Sequence, residues 1–127
     1  MEQYLIDNNI ISLYFSGRIS KSANLFLSDV IDRIPNISVI TQIEALSWVN
    51  PDKSKELVVS NFINDANIIS ISSSIVKQCV SIRRARKIKT PDAIIAATAI
   101  IHNYILITCD NDFNNIEGLE VINPNNL

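Results

Sequence analysis

Two cysteines, two glycines and a single histidine among 127 residues leave little material for several kinds of chemistry. Cys79 falls in a helical pattern and Cys109 in a strand pattern, with no short ligand spacing such as C-x-x-C, so both read as small buried hydrophobes. His102 closes an apolar helical run and has no second histidine with which to build a zinc site. Although 47% of the residues are hydrophobic, no run reaches the ~18 apolar residues that span a bilayer. The start, Met1-Glu2-Gln3-Tyr4, lacks the basic segment and apolar stretch of a secretory signal, so a cytoplasmic protein with no membrane partner is expected. There is no repeat, linker or low-complexity stretch, and Gly17 and Gly118 fall where turns are expected. The length suits one compact domain.

A positive excess is missing too. The formal charge of -2 speaks against a nucleic-acid partner, because phosphate contacts supply much of such affinity. The distribution reverses that reading. Arg83, Arg84, Arg86, Lys87 and Lys89 place five of the eleven positive charges within seven residues. Five of the thirteen acids are the site candidates Asp7, Glu44, Asp92, Asp110 and Asp112, and without them eleven positive charges face eight negative ones. A bound divalent cation would mask much of the remaining negative charge.

What the chain has in quantity is short apolar segments. Strands are expected at Gln3–Asp7, Ile37–Ile40, Asn67–Ser72, Tyr104–Asp110 and Glu120–Ile122, each rich in isoleucine, valine or aromatics. Near-continuous apolar strands belong to a sheet covered on both faces. Helical spacing relates Ala23, Phe26, Leu27, Val30, Ile31 and Ile34, and again Ile75, Cys79, Ile82 and the stem of Arg86, while Leu57, Val58 and Phe62 mark a further helix after Asn50-Pro51-Asp52. The alternation predicts a three-layer α/β/α sandwich with a mostly parallel central sheet.

In such sheets ligands bind beyond the carboxyl ends of the strands, and four acids are expected there. Asp7 and Asp110 end strands. Glu44 follows the second strand in the first turn of a helix that Thr41 is expected to cap. Asp92 follows Thr90 as N-cap and Pro91 as first helical residue, at the start of a helix that returns to feed the Asp110 strand. Each acid also has an ordinary structural use: turn former at Asp7 and Asp110, helix-dipole partner at Asp92, and the end of a Thr41-x-x-Glu44 capping box at Glu44. All four together on one rim point instead to a cation, since like charges a few ångströms apart are otherwise destabilising. Oxygen-only ligands suit magnesium or manganese, and such a metal supports phosphodiester hydrolysis. Thr108, two residues before Asp110 on the same strand face, and Asp112 are additional candidates. Between Ser73 and Thr90 two helices follow one another with no strand to reverse direction, so either the first lies obliquely or Ile88-Lys89-Thr90 makes the return.

Four blocks, Tyr4-Leu5-Ile6-Asp7-Asn8-Asn9, Ile40-Thr41-Gln42-Ile43-Glu44, Lys89-Thr90-Pro91-Asp92-Ala93-Ile94-Ile95-Ala96-Ala97-Thr98-Ala99 and Thr108-Cys109-Asp110-Asn111-Asp112-Phe113, resemble PIN domains in order and spacing. In these blocks the chain looks like the toxin component of VapBC toxin–antitoxin modules. The resemblance covers essentially residues 1–127 and implies one PIN-like nuclease domain, with Asp7, Glu44, Asp92 and Asp110 holding Mg2+ or Mn2+. It further implies an endoribonuclease acting on single-stranded RNA, a homodimer, and inhibition by a cognate antitoxin whose C-terminal segment lies over the site, with Trp48 a candidate lining residue. Asn8 departs from the serine or threonine that many relatives carry beside the first aspartate. The basic cluster just before Asp92 is a candidate RNA-backbone contact. A PIN scaffold that binds RNA or protein without cutting is the main alternative. A receiver-like phosphoacceptor would need an aspartate ending the third strand and a lysine ending the fifth, where Ser70-Ile71-Ser72-Ser73 and Asn123-Pro124 stand instead.

Overall fold

The computed structural model describes residues 2–127. Five short strands form one sheet: β1 (Tyr4–Ile6), β2 (Asn36–Ser38), β3 (Asn67–Ile69), β4 (Ile105–Ile107) and β5 (Val121–Ile122). Their order is β3-β2-β1-β4-β5, with every neighbouring pair parallel. Six helices connect them: α1 (Asn8–Ser16), α2 (Lys21–Asp32), α3 (Val39–Leu46), α4 (Lys53–Asp65), α5 (Ser73–Ala85) and α6 (Thr90–His102). The expected α/β/α architecture is present, and the sheet is wholly parallel. Every strand is shorter than its apolar run, because residues at the run ends pass into turns and helix starts.

Alternation along the two central strands divides the core. Leu5 and Leu106 pack into one cluster with Ile75, Cys79 and Ile82 of α5 and the Ala93–Ala99 face of α6. Ile6 and Ile107 pack into the other, with Ile10, Ile11, Leu27, Val30, Val59 and Ile63 of α1, α2 and α4. Successive strand residues point to opposite faces, so a strand apolar at every position needs a layer on each side.

Local signals explain most helix ends. Ser20, Ser38, Asp52 and Ser72 are N-caps whose side-chain oxygens accept backbone N–H groups of α2, α3, α4 and α5. Gly17 closes α1 with φ +71°, a conformation that favours glycine. The starts of α3 and α6 depart from expectation. α3 is capped by Ser38, and Thr41 is a buried residue within the helix whose hydroxyl has no partner among the described residues. No Thr41–Glu44 capping box therefore exists, and Glu44 lies beyond the first turn. α6 begins at Thr90 with Lys89 as its cap position and no side-chain cap bond, so Pro91 is its second residue. α4 also turns a different face inward than its apolar triplet suggested: Val59 and Ile63 are buried, while Leu57 and Val58 are exposed.

α1 is an element that helical spacing did not single out. Asn8, Asn9, Ile10, Ile11, Tyr14 and Phe15 are poor helix formers, but Asp7 starts the segment and burial of Ile10 and Ile11 holds it. The connection across residues 73–90 is a helix pair, α5 packed on α6, joined by Arg86–Lys89.

At the amino ends of the strands, buried Asn36 ties three strands together. Its amide donates to the Tyr4 carbonyl at 3.1 Å and to Gln3 Oε1 at 3.3 Å, and its Oδ1 accepts from Asn67 Nδ2 at 2.8 Å. Asn36→Ala would leave the Tyr4 carbonyl and the Asn67 amide without these partners. The variant should lose about 1–3 kcal/mol, read as a lower urea midpoint at unchanged slope. An unchanged midpoint would show that the side-chain ladder adds nothing to the pairing.

Candidate metal centre

β1 and β4 pair in register through Tyr4–Ile105, Leu5–Leu106 and Ile6–Ile107, and the Asp7 N–H donates to the Ile107 carbonyl at 3.1 Å. Asp7 and Thr108 are therefore the first residues beyond the aligned strands, and they meet. Thr108 Oγ1 donates to Asp7 Oδ2 at 2.8 Å and accepts from the Asp110 N–H at 3.1 Å and from Asn9 Nδ2 at 3.3 Å. One donor and two acceptor positions are all that a hydroxyl offers, so this one is fully used. The other carboxylate oxygen, Asp7 Oδ1, accepts from the Asn8 N–H at 2.8 Å. Asp7 is held on both oxygens with only 7% of its surface exposed. Asn9 is a site residue that the sequence reading passed over, although its position two residues after Asp7 is the signal that could have found it.

Asp110 lies three residues beyond β4, not within it, and caps the 3-10 turn Asn111–Phe113 by accepting the Asp112 N–H at 2.9 Å. Asp92 is in the first turn of α6, near the positive end of the helix dipole. Carboxylate oxygens of Asp92, Asp110 and Asp112 lie within 4.8 Å of one another. Asp7 and Glu44 stand outside that trio but within its field. Burial raises the Asp7 carboxyl above its usual value of 3.8, opposed by the Thr108 and Asn8 hydrogen bonds and reinforced by Asp92 and Asp110. Loss of hydration followed by the charges of Asp7 and Asp92 raises Glu44, and loss of hydration followed by Asp110 and Asp112 raises Asp92.

Neither ion pair among the described residues, Arg33–Asp29 or Lys53–Glu56, involves any of these five acids. Nor do the side chains of Glu44 and Asp92 make hydrogen bonds among the described residues: Glu44 lacks the capping-box use that would otherwise account for it, and Asp92 has only its place in the first turn of α6. An all-oxygen donor set with no protein cation bridging it fits a hard divalent metal.

The five basic residues occupy the end of α5 and the link to α6. Arg83, Arg84, Lys87 and Lys89 are exposed, and Arg86 is half-buried. Lys89 is near enough for its charge to favour the ionised form of Asp92. A groove of about 640 Å³ between α1, α3 and α4 is lined by Asn8, Ile11, Phe15, Glu44, Trp48 and Val58 among others.

Fold and donor set together define a three-layer α/β protein with an oxygen-only cluster able to hold a metal ion at the carboxyl edge of its sheet. The PIN domain family matches residues 4–119, and the chain belongs to the PIN-domain family. It is similar to a toxin-antitoxin complex from Klebsiella pneumoniae at 32% identity and a TM-score of 0.77, over 96% of this chain and 98% of that chain. It also shares its fold with FitAcB from Neisseria gonorrhoeae, at 22% identity and a TM-score of 0.79 over 98% and 100% of the two chains. The DNA-bound VapBC2 from Rickettsia felis gives 21%, 0.77, 94% and 96% for the same measures. No curated protein matches. The resemblance to VapC-type toxins drawn from the four motif blocks agrees with these neighbours.

Asp92→Asn tests the charge crowding without breaking a hydrogen bond. A carboxyl raised in the folded state binds protons more tightly there than when unfolded, so stability falls as pH rises from 3.8 through the raised value. The metal-free Asp92→Asn protein should therefore melt at or above wild type at pH 7, with the advantage vanishing near pH 3. Added Mn2+ should raise the wild-type melting temperature by mass action and that of the variant far less. A variant that melts well below wild type at pH 7 would make Asp92 a structural residue.

Proposed function

We propose that this PIN-domain protein is a Mg2+- or Mn2+-dependent endoribonuclease, the toxin of a type II toxin–antitoxin module. The observation that carries the reading is the meeting of Asp92, Asp110 and Asp112 within 4.8 Å, beside Asp7 and Glu44, with no protein cation among them. A divalent cation held by these carboxylates would neutralise their repulsion and draw charge from the phosphodiester under attack. Asp7, Asp92 and Asp110 would hold it, with Asp112 as an additional ligand. Thr108 and Asn9 keep the Asp7 carboxylate aimed at it. Glu44, exposed and partnerless on the groove side, orients the attacking water, and its raised proton affinity suits it to take up that water's proton.

Arg83, Arg84, Lys87 and Lys89 track the phosphates of single-stranded RNA, giving affinity without base choice. The substrate and the antitoxin approach from different sides in this reading. The groove between α1, α3 and α4, with Trp48 and Val58 on its wall, takes the inhibiting segment of the antitoxin and brings it against Glu44. Support for such a partner comes from the similarity to toxin–antitoxin complexes. The protein acts in the cytoplasm as a homodimer. A PIN scaffold that binds without cutting is the second reading, and the complete acid set favours cleavage over it.

Glu44→Gln separates the two. With the capping box absent, Glu44 has no structural task, so the variant should fold and melt like wild type. Its cleavage of single-stranded RNA, measured with Mn2+ and abolished by chelator in wild type, should fall about a hundredfold or more. Cleavage within threefold of wild type would remove Glu44 from the site, absent wild-type cleavage would favour the scaffold, and cleavage that survives the chelator would overturn the metal dependence.

Charge reversal at Arg83, Arg84 and Lys87 should weaken RNA binding and flatten its salt dependence by about 0.7 slope units for each lost phosphate contact. The metal-induced rise in melting temperature should persist. An unchanged slope would return these side chains to an ordinary solvated helix end.

A further inference from the structure

Arg86 stands in the basic cluster, but its guanidinium is engaged elsewhere. The residue closes α5, and its side chain crosses to the segment that follows β4. There Nη2 donates to the Asp112 carbonyl at 3.2 Å and Nη1 to the Asn114 carbonyl at 2.9 Å. These two carbonyls flank Phe113 and belong to the turn that carries Asp110 and Asp112. A planar fork that bonds both fixes the Asp112–Phe113 and Asn114–Asn115 peptide planes, and through the first of them the direction in which the Asp112 side chain leaves the backbone.

The turn otherwise rests on the Asp110 N–H bond to Thr108 Oγ1, on its own short bonds and on one buried ring. The Asp112 N–H reaches Asp110 Oδ1 at 2.9 Å, the Asn114 N–H reaches the Asn111 carbonyl at 3.0 Å, and Phe113 is fully buried. Two carboxylates on such a turn, facing a third on α6, repel one another and would open it outward. Arg86 ties the turn back to the end of α5, four residues before Thr90 starts the helix that carries Asp92. The two sides of the acid trio are joined through this arginine and the Arg86–Lys89 link. Arg83 plays a related part nearby, its Nε donating to the Ile88 carbonyl within the same link at 3.3 Å.

We infer that Arg86 is a positioning residue of the acidic site. It holds the Asp110–Asn114 turn against the α5–α6 corner so that Asp110 and Asp112 stay within reach of Asp92 and close together on one cation. The inference rests on the metal reading above and takes Arg86 out of the set of free phosphate contacts. Lysine cannot replace it fully, because a single ammonium does not offer two donors in one rigid plane.

Arg86→Ala and Arg86→Lys, made in the full chain, test this by three measurements. Calorimetric titration with Mn2+ should show a Kd raised about tenfold or more in Arg86→Ala, the usual scale for lost support behind a metal ligand, and by a smaller factor in Arg86→Lys. Amide exchange of residues 112–114 in metal-free protein should be several-fold faster in both variants. The salt slope of single-stranded RNA binding should stay at the wild-type value. Arg86→Lys carries the test alone if Arg86→Ala does not fold. Wild-type protein that binds no Mn2+ would sink the metal reading and this one with it. Wild type that binds Mn2+ while the folded variants bind it equally well, with unchanged exchange in the turn, would sink the role of Arg86 alone. A flatter salt slope at unchanged Mn2+ affinity would make Arg86 a phosphate contact instead.

Discussion

The parallel register of β1 against β4 is the constraint on which the site depends, because it sets Asp7 opposite Thr108 at the point where both strands end. From that meeting the Thr108 hydroxyl reaches α1 through Asn9 and the Asp110 loop through a backbone amide. A shift of one residue between the strands would turn each strand side chain to the other face of the sheet. It would also part the aspartate from its hydroxyl. The two core layers enforce the register, since Leu5 and Leu106 fill one and Ile6 and Ile107 the other.

Much of this arrangement was legible before the coordinates. Runs of isoleucine and valine placed all five strands and implied a covered parallel sheet, and the strand-end rule then brought Asp7, Glu44, Asp92 and Asp110 to one edge without any knowledge of distances. What stayed hidden depends on contacts between distant segments. α1 has a composition that argues against a helix, and only its packing on the sheet overrides that. Thr41 looked like a cap because threonine commonly is one, yet Ser38 lies three residues earlier and takes the role, which leaves Thr41 in the interior. The inward face of α4 is set by its neighbours, and Leu57, Val58 and Phe62 did not disclose that Val59 and Ile63 would turn inward. Arg86 read as one more positive charge, since no sequence pattern reveals that an arginine reaches two carbonyls nearly thirty residues ahead.

Charge and backbone are arranged with opposite economies at the two ends of the sheet. At the amino ends, Asn36, Asn67 and Gln3 satisfy one another with neutral amides. At the carboxyl ends, five acids gather with no bridging lysine or arginine among the described residues, and only Asp7 accepts protein hydrogen bonds on both carboxylate oxygens. The first end is complete in itself, and the second leaves its carboxylates without a bridging positive charge among the described residues. A three-residue strand is about 10 Å long, so these contrasting environments are separated by little more than the thickness of one helix.

The brevity of the outer strands bears on how copies of the chain meet at high concentration. β3 has three residues and β5 has two, and Pro124, which lacks an amide hydrogen, follows β5 almost at once. Each margin of the sheet thus presents only a few free backbone groups, too few to template an extended intermolecular ladder of the kind that seeds fibrils. Self-association is left to side chains on helix surfaces, where exposed apolar residues such as Val76 and Val80 of α5 are found. Contacts of that sort are shape-specific, and they can saturate at a defined number of copies where an open strand edge would keep adding more.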